Sequence, residues 1–215
     1  MNPRDQVARL AKSDYLAALK IAKSIENLRG QIQSLGWVAR YAPADQVASV
    51  IRIVTDLAQR NADTDYYGTA MAIAWPLRAL HEAGQPKLIP PLLRVATNIS
   101  ERVTPESSGA VALSLIIQAV LPAGLSVAES AISKLAGRVK DQHWRTTRAL
   151  TEVALMVNSV DHARALVIAR AIAAENKHAT AIRRLENAEA SEPRAFFWGN
   201  SLITLTCGRA TRLGI

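Results

Sequence analysis

The chain has 215 residues, with 26 Lys+Arg against 18 Asp+Glu, a formal net charge of +8 and 49% apolar residues. That length and apolar share describe one folded domain or one repeat array and exclude an intrinsically disordered chain. Alanine occurs 38 times while aromatics make up only 5%, which points to an all-α fold, and the single Cys excludes an internal disulfide framework or a multi-Cys metal site.

In chain order, Met1 to Leu10 carries charges at Arg4, Asp5 and Arg9 without an apolar stretch, so no signal peptide and a cytoplasmic location are expected. Ser13 and Asp14 can cap a helix running to about Ile25. Ala42-Pro43 opens another with proline in its first turn, and Gly84 closes the one ending at His81-Glu82. Trp75-Pro76 falls inside that helix, where the missing N–H predicts a kink or bend. Thr104-Pro105-Glu106 combines a cap hydroxyl, a proline at the first helical position and a carboxylate at the positive end of the dipole. Asp141 and Asp161 offer further starts near Gln142 and His162. Ser107 to Ala128 is uncharged and long enough to span a bilayer, but Ser114, Gln118, Pro122, Gly124 and Ser126 interrupt it. A buried helix in a soluble core is the expectation, with no membrane partner.

The helices pair, and the pairs resemble each other. Apolar, basic, apolar, small or apolar recurs as Leu19-Lys20-Ile21-Ala22, Ile51-Arg52-Ile53-Val54, Leu93-Arg94-Val95-Ala96 and Ser133-Lys134-Leu135-Ala136, with a looser copy at Val167-Ile168-Ala169. The steps are 32, 42, 40 and 33 residues, the length of one helical hairpin. Ile25-Glu26, Arg29, Leu35 and Val38-Ala39 parallel Val139-Lys140-Asp141, Arg145, Leu150 and Val153-Ala154. Helical hairpins are expected near 13–41, 43–83, 86–121, 125–158 and 160–187. The expectation is an all-α, right-handed α-solenoid of four to five stacked hairpins over 1–192, in which Ile53 and Val95 face the next hairpin. Residues 193–215 then form an aromatic cap on the final hairpin, Phe196 to Trp198, followed by a poorly ordered tail.

These hairpins resemble the α-solenoid superfamily of HEAT-like or tetratricopeptide-like repeats, and Leu88-Ile89-Pro90-Pro91-Leu92-Leu93 is similar to the proline-bearing first helix of a HEAT repeat. The Trp, Leu-Gly and Tyr positions of the tetratricopeptide consensus and the Asp and Arg ladder of HEAT units are missing, so no subfamily is assigned. The resemblance implies a scaffold for protein or nucleic-acid partners.

Little catalytic chemistry is visible. Neither a Rossmann spacing nor a Gly-Lys-Ser/Thr triplet occurs, and His81-Glu82 lacks a second His four residues after the first. His81, His143, His162 and His178 are widely separated, and Cys207 has no neighbouring His, so no cofactor, metal or catalytic residue is expected. Asn98-Ile99-Ser100 matches a glycosylation sequon that carries no weight without a signal peptide. Asp63 and Asp65, followed by Tyr66 and Tyr67, could line a site, but a helix start there favours a capping role.

Charge is distributed unevenly. Residues 1–133 hold 13 basic and 11 acidic side chains, residues 134–184 hold 10 and 4, and the remainder holds 3 and 3. A candidate surface for an anionic partner therefore comprises Arg138, Lys140, Trp144, Arg145, Arg148, Lys177, Arg183 and Arg184, beside Lys134 and His143. The alternative is that these are solvated outer-face residues of ordinary helices. Trp37, Trp75 and Trp144 are expected in the core, with Trp144 set apart by its charged surroundings. The leading expectation is a non-catalytic scaffold that binds a protein or peptide on its concave face, and the alternative is nucleic acid along the basic stripe. A HEAT-like DNA glycosylase using Asp141 and Trp144 is the remote enzymatic option.

Overall fold

The computed structural model describes residues 2–138, 143–172, 175–189 and 196–197. These residues are all-helical: α1 (Pro3–Leu10), α2 (Tyr15–Lys23), α3 (Leu28–Tyr41), α4 (Ala44–Asn61), α5 (Tyr66–Glu82), α6 (Ile89–Glu101), α7 (Glu106–Val120), α8 (Leu125–Ala136), α9 (Trp144–Asn158), α10 (His162–Arg170) and α11 (Glu175–Glu186). Each of the five segments expected to hold a helix pair holds two of these helices.

Local chemistry explains most of the boundaries. Asp14 starts α2 by accepting the Ala17 N–H at 2.9 Å, Asn27 starts α3 through Gly30 N, and Asp161 starts α10 through Arg164 N. Gly84 ends α5 with φ +65°, a left-handed conformation that is cheap only without a Cβ. Two starts differ from expectation. Pro43 and Pro105 occupy the capping position rather than the first helical one, and neither α4 nor α7 has a side-chain cap, so the Thr104 hydroxyl does not play that part. The helix α1 was not anticipated, although Asn2-Pro3 carries its start signal: the Asn2 side chain accepts the Arg4 N–H at 3.0 Å.

The recurring four-residue pattern falls once on each of α2, α4, α6, α8 and α10. Ala22, Val54, Ala96, Leu135 and Ala169 are fully buried in its copies, whereas Ile53 and Val95 are half-buried and rest on the edge of the core. Helices α3, α5, α7 and α9 are more completely covered. The most extensive pairing among the described helices is α3 with α5, and α5 packs on α7 and α7 on α9 in succession. Helix α4 lies against α3 and α5, α6 against α5 and α7, α8 against α7 and α9, and α10 against α9 and α11.

Small side chains allow this proximity. Ala39, Ala70, Ala72, Ala74, Ala110 and Ala112 are all fully buried in the central helices, where a short side chain lets neighbouring backbones approach. At Gly36 a Cβ would sit 3.0 Å from Pro76 N and from the Trp75 carbonyl carbon. Glycine on α3 therefore abuts the very point where proline removes an N–H from α5, and α5 continues through that point to Glu82.

Helix α7 is the one described helix that is long and apolar enough, over Glu106–Ala123, to cross a membrane by composition. Here it packs on α5, α6, α8 and α9, with Leu113, Ile116, Ile117 and Val120 fully buried in the protein core.

Candidate functional site

Two aromatic regions stand out on the odd-numbered helices. The first lies on α3 and α5. Phe196 and Phe197 are each 1% exposed. Phe197 meets Trp37 edge to face with ring centroids 4.7 Å apart, Phe196 meets Trp75 in the same way at 5.2 Å, and the Trp75 indole N–H donates to the Phe196 carbonyl. Edge-to-face contact places the positive rim of one ring on the negative face of the other. Phe196 and Phe197 were expected to cap the final hairpin; their ring contacts are instead with Trp37 of α3 and Trp75 of α5, both buried.

A buried charge network frames this region. Glu82 at the end of α5 accepts from Arg78 Nε at 2.8 Å and is bridged by Arg40 of α3. The Arg40 guanidinium also lies 4.6 Å from the Phe197 ring centroid and 5.1 Å from that of Tyr41, so the cation is shared between a carboxylate and aromatic faces. His81 sits beside this group. Burial first, then the charge of Arg78, holds its pKa below the ordinary histidine value, with Glu82 opposing.

The second region is an open groove of about 510 Å³ between α5, α7 and α9. Tyr67 of α5 lines it at 37% exposure, Ser108, Val111 and Ser114 form the accessible stripe of α7, and Trp144, Arg145, Arg148 and Glu152 line it from α9. Trp144 is 55% exposed, which corrects the expectation of a core tryptophan. His143 stacks on it at 5.9 Å, and the Arg145 guanidinium lies 5.5 Å from its ring centroid. Arg145 and Arg148, three residues apart on one helix face, make no ion pair among the described residues.

The remaining residues of the expected basic surface are dispersed. Arg138 turns away from solvent: it donates to the Ser100 carbonyl at 2.8 Å and the Glu106 carbonyl at 3.1 Å, closing the turn between α6 and α7. Its guanidinium occupies the space beside Gly109, where a Cβ would meet Nη1 at 2.3 Å. Lys134 pairs with Glu101 at 2.5 Å. Arg184 is paired with Glu152 of α9 at 3.7 Å and with Glu189 at 2.7 Å. Its neighbour Arg183, about 100° further around the helix, lines a separate depression with Arg170 and His178. Lys177 is exposed on α11. Lys140 and Asp141 lie outside the described residues.

Of the acidic pair near α5, Asp65 caps the helix through Gly68 N at 2.7 Å, as expected. Asp63 instead accepts the Tyr66 hydroxyl and faces Arg102 at 3.6 Å. No group of three or more metal-ligating side chains occurs among the described residues. Ser108 and Val111 had not been singled out, and Ser114 only as an interruption of the apolar run; their signal was a polar or small stripe at helical spacing inside an otherwise apolar helix.

The class these observations define is an all-helical protein with one aromatic region filled by its own phenylalanines and another that is open and basic. Comparison of the chain with protein-family models, with curated proteins and with solved structures finds no match.

Proposed function

We propose that this chain is a non-catalytic α-solenoid, its helix pairs stacked as right-handed hairpin repeats, which binds a protein or peptide partner on a concave face formed by α3, α5, α7 and α9. The recurrence of one sequence pattern on every even-numbered helix supports the repeat architecture, since each hairpin then presents the same apolar face to its neighbour. The observation that carries the binding function is the seating of Phe196 and Phe197. Two consecutive side chains occupy aromatic sites on two different helices while an indole N–H takes the main-chain carbonyl between them. Side-chain pockets combined with main-chain hydrogen bonds are the way folded domains read peptide segments.

The test uses the F196A/F197A double variant, and the single F197A variant should the double lose its helical spectrum. A fluorescein-labelled peptide of residues 191–200, Ser-Glu-Pro-Arg-Ala-Phe-Phe-Trp-Gly-Asn, is titrated with each protein and followed by anisotropy. The expected result is tighter binding to the variant than to the wild type, whose site is already filled, and loss of binding when both phenylalanines of the peptide are alanine. A folded variant that does not take up the peptide overturns the proposal.

A further inference from the structure

We propose that the groove between α5, α7 and α9 is a binding site for single-stranded nucleic acid, with Trp144 as the stacking platform and Arg145 and Arg148 as phosphate contacts. Four observations converge on it. Trp144 exposes most of an indole to solvent, on a chain that buries Trp37 and Trp75 almost completely. An exposed aromatic face is sequence-tolerant for bases, because every base has a π-face of its own. Among the described residues Arg145 and Arg148 flank that face without an acidic partner, and the one carboxylate lining the groove, Glu152, is matched by Arg184 at 3.7 Å.

The third observation is the backbone. The groove is lined from the starts of three long helices: Tyr67 is the second residue of α5, Ser108 the third of α7, and Trp144 and Arg145 the first two of α9. The first turn of α7 carries Glu106 and no side-chain cap, whereas α5 is capped by the Asp65 carboxylate and α9 by the His143 ring, so of the three it is α7 that leaves its first-turn N–H groups without a side-chain acceptor. The fourth is chemical variety: the Ser108 and Ser114 hydroxyls and the Tyr67 ring offer donors and a second aromatic surface within the same groove. An acidic peptide would satisfy the arginines alone and leave Trp144 unused, so the combination favours nucleotides. The site differs from the anionic surface expected from sequence in dropping Arg138, Arg183 and Arg184, and it shares no residue with the aromatic site on α3 and α5, so either proposal can fail without the other.

Fluorescein-labelled 12-nucleotide oligothymidylate and oligouridylate, titrated with the full chain over a salt series, test the site. Expected are affinity falling as salt rises, quenching of tryptophan emission on binding, and loss of that quenching in Trp144→Ala together with about 5- to 150-fold weaker binding. The R145E/R148E variant should lower the magnitude of the salt slope by about 1.4, at about 0.7 per phosphate contact on a single strand, whereas R52E/R94E, an equal charge change on exposed positions of α4 and α6, should retain the quenching and the wild-type slope. No binding at low salt, equal losses in the two double reversals, or displacement of the oligonucleotide by a 12-residue oligoglutamate at equal concentration would each overturn the proposal.

Discussion

The aromatic region on α3 and α5 and the groove on α7 and α9 are built from the same materials and end in opposite states. Each has tryptophan beside arginine on a central helix. On the first side Arg40 is held by Glu82, and Trp37 and Trp75 are covered by Phe197 and Phe196. On the second Trp144 is 55% exposed, and Arg145 and Arg148 make no ion pair among the described residues. The contrast teaches that burial of an indole here depends on whether a distant segment returns to cover it, since α3, α5 and α9 are equally helical. It also separates the three described tryptophans by exposure: Trp37 and Trp75 are buried in the core, and Trp144 is half in solvent.

The sharpest way to break that contrast is to truncate one tryptophan on each side. Trp75→Ala removes a buried indole, its ring contact and its hydrogen bond to Phe196, and should cost about 3–5 kcal/mol of stability. Trp144→Ala should stay within about 0.5 kcal/mol of the wild type, as exposed substitutions do. Urea denaturation followed by circular dichroism checks both; equal losses would mean that Trp144 belongs to the core.

A smaller effect tests where Arg138 belongs. Gly109→Ala places a methyl group against both the Arg138 guanidinium and, at 2.9 Å, the Ser100 carbonyl oxygen that this guanidinium holds together with that of Glu106. If Arg138 closes the α6–α7 turn, the variant should lose about 1.5–3 kcal/mol, the typical worth of hydrogen bonds from a charged donor, and oligonucleotide binding in the groove should be unchanged. A stable variant with weakened binding would return Arg138 to the ligand surface.

The smallest effect concerns pH on the closed side. His81 has its folded pKa lowered by burial and by Arg78, so the folded chain holds fewer protons there than the unfolded chain, whose histidine titrates near 6.5. Stability contributed by neutral His81 is therefore present above about pH 6.5 and is lost as pH falls from there towards the lowered folded value. Melting temperatures measured between pH 7.5 and 5 should fall less in His81→Gln than in the wild type; parallel curves would remove His81 from the acid response.

Helix positions were legible because their causes are local. The parallel positions Leu35, Val38 and Ala39 on α3 and Leu150, Val153 and Ala154 on α9 are all buried, since apolar residues at three- and four-residue spacing define a face whatever packs on it. Caps at Asp14, Asp65 and Asp161 read correctly for the same reason. The basic surface did not survive as one stripe. Sequence proximity joined Arg183 to Arg184, but adjacent helical residues point about 100° apart, and only one of the two reaches Glu152.

The amino-acid sequence by itself determined that this chain is helical, where most helices begin and end, and which side of each is apolar, because hydrogen bonding within a helix and its period of 3.6 residues involve only near neighbours. Tertiary structure alone decided which charges and aromatics found partners. Arg40 meets Glu82, Arg138 meets the carbonyls beside Gly109, and Trp75 meets Phe196 across 121 positions of chain, while among the described residues Arg148 makes no ion pair and the ring partners of Trp144 are its sequence neighbours His143 and Arg145. An arginine or an indole has the same local preferences whether it ends in water or against a partner. Its fate is set by the close approach of helices that residues as unassuming as Gly36 and Gly109 permit, and that approach is a property of the packed layers rather than of any one segment.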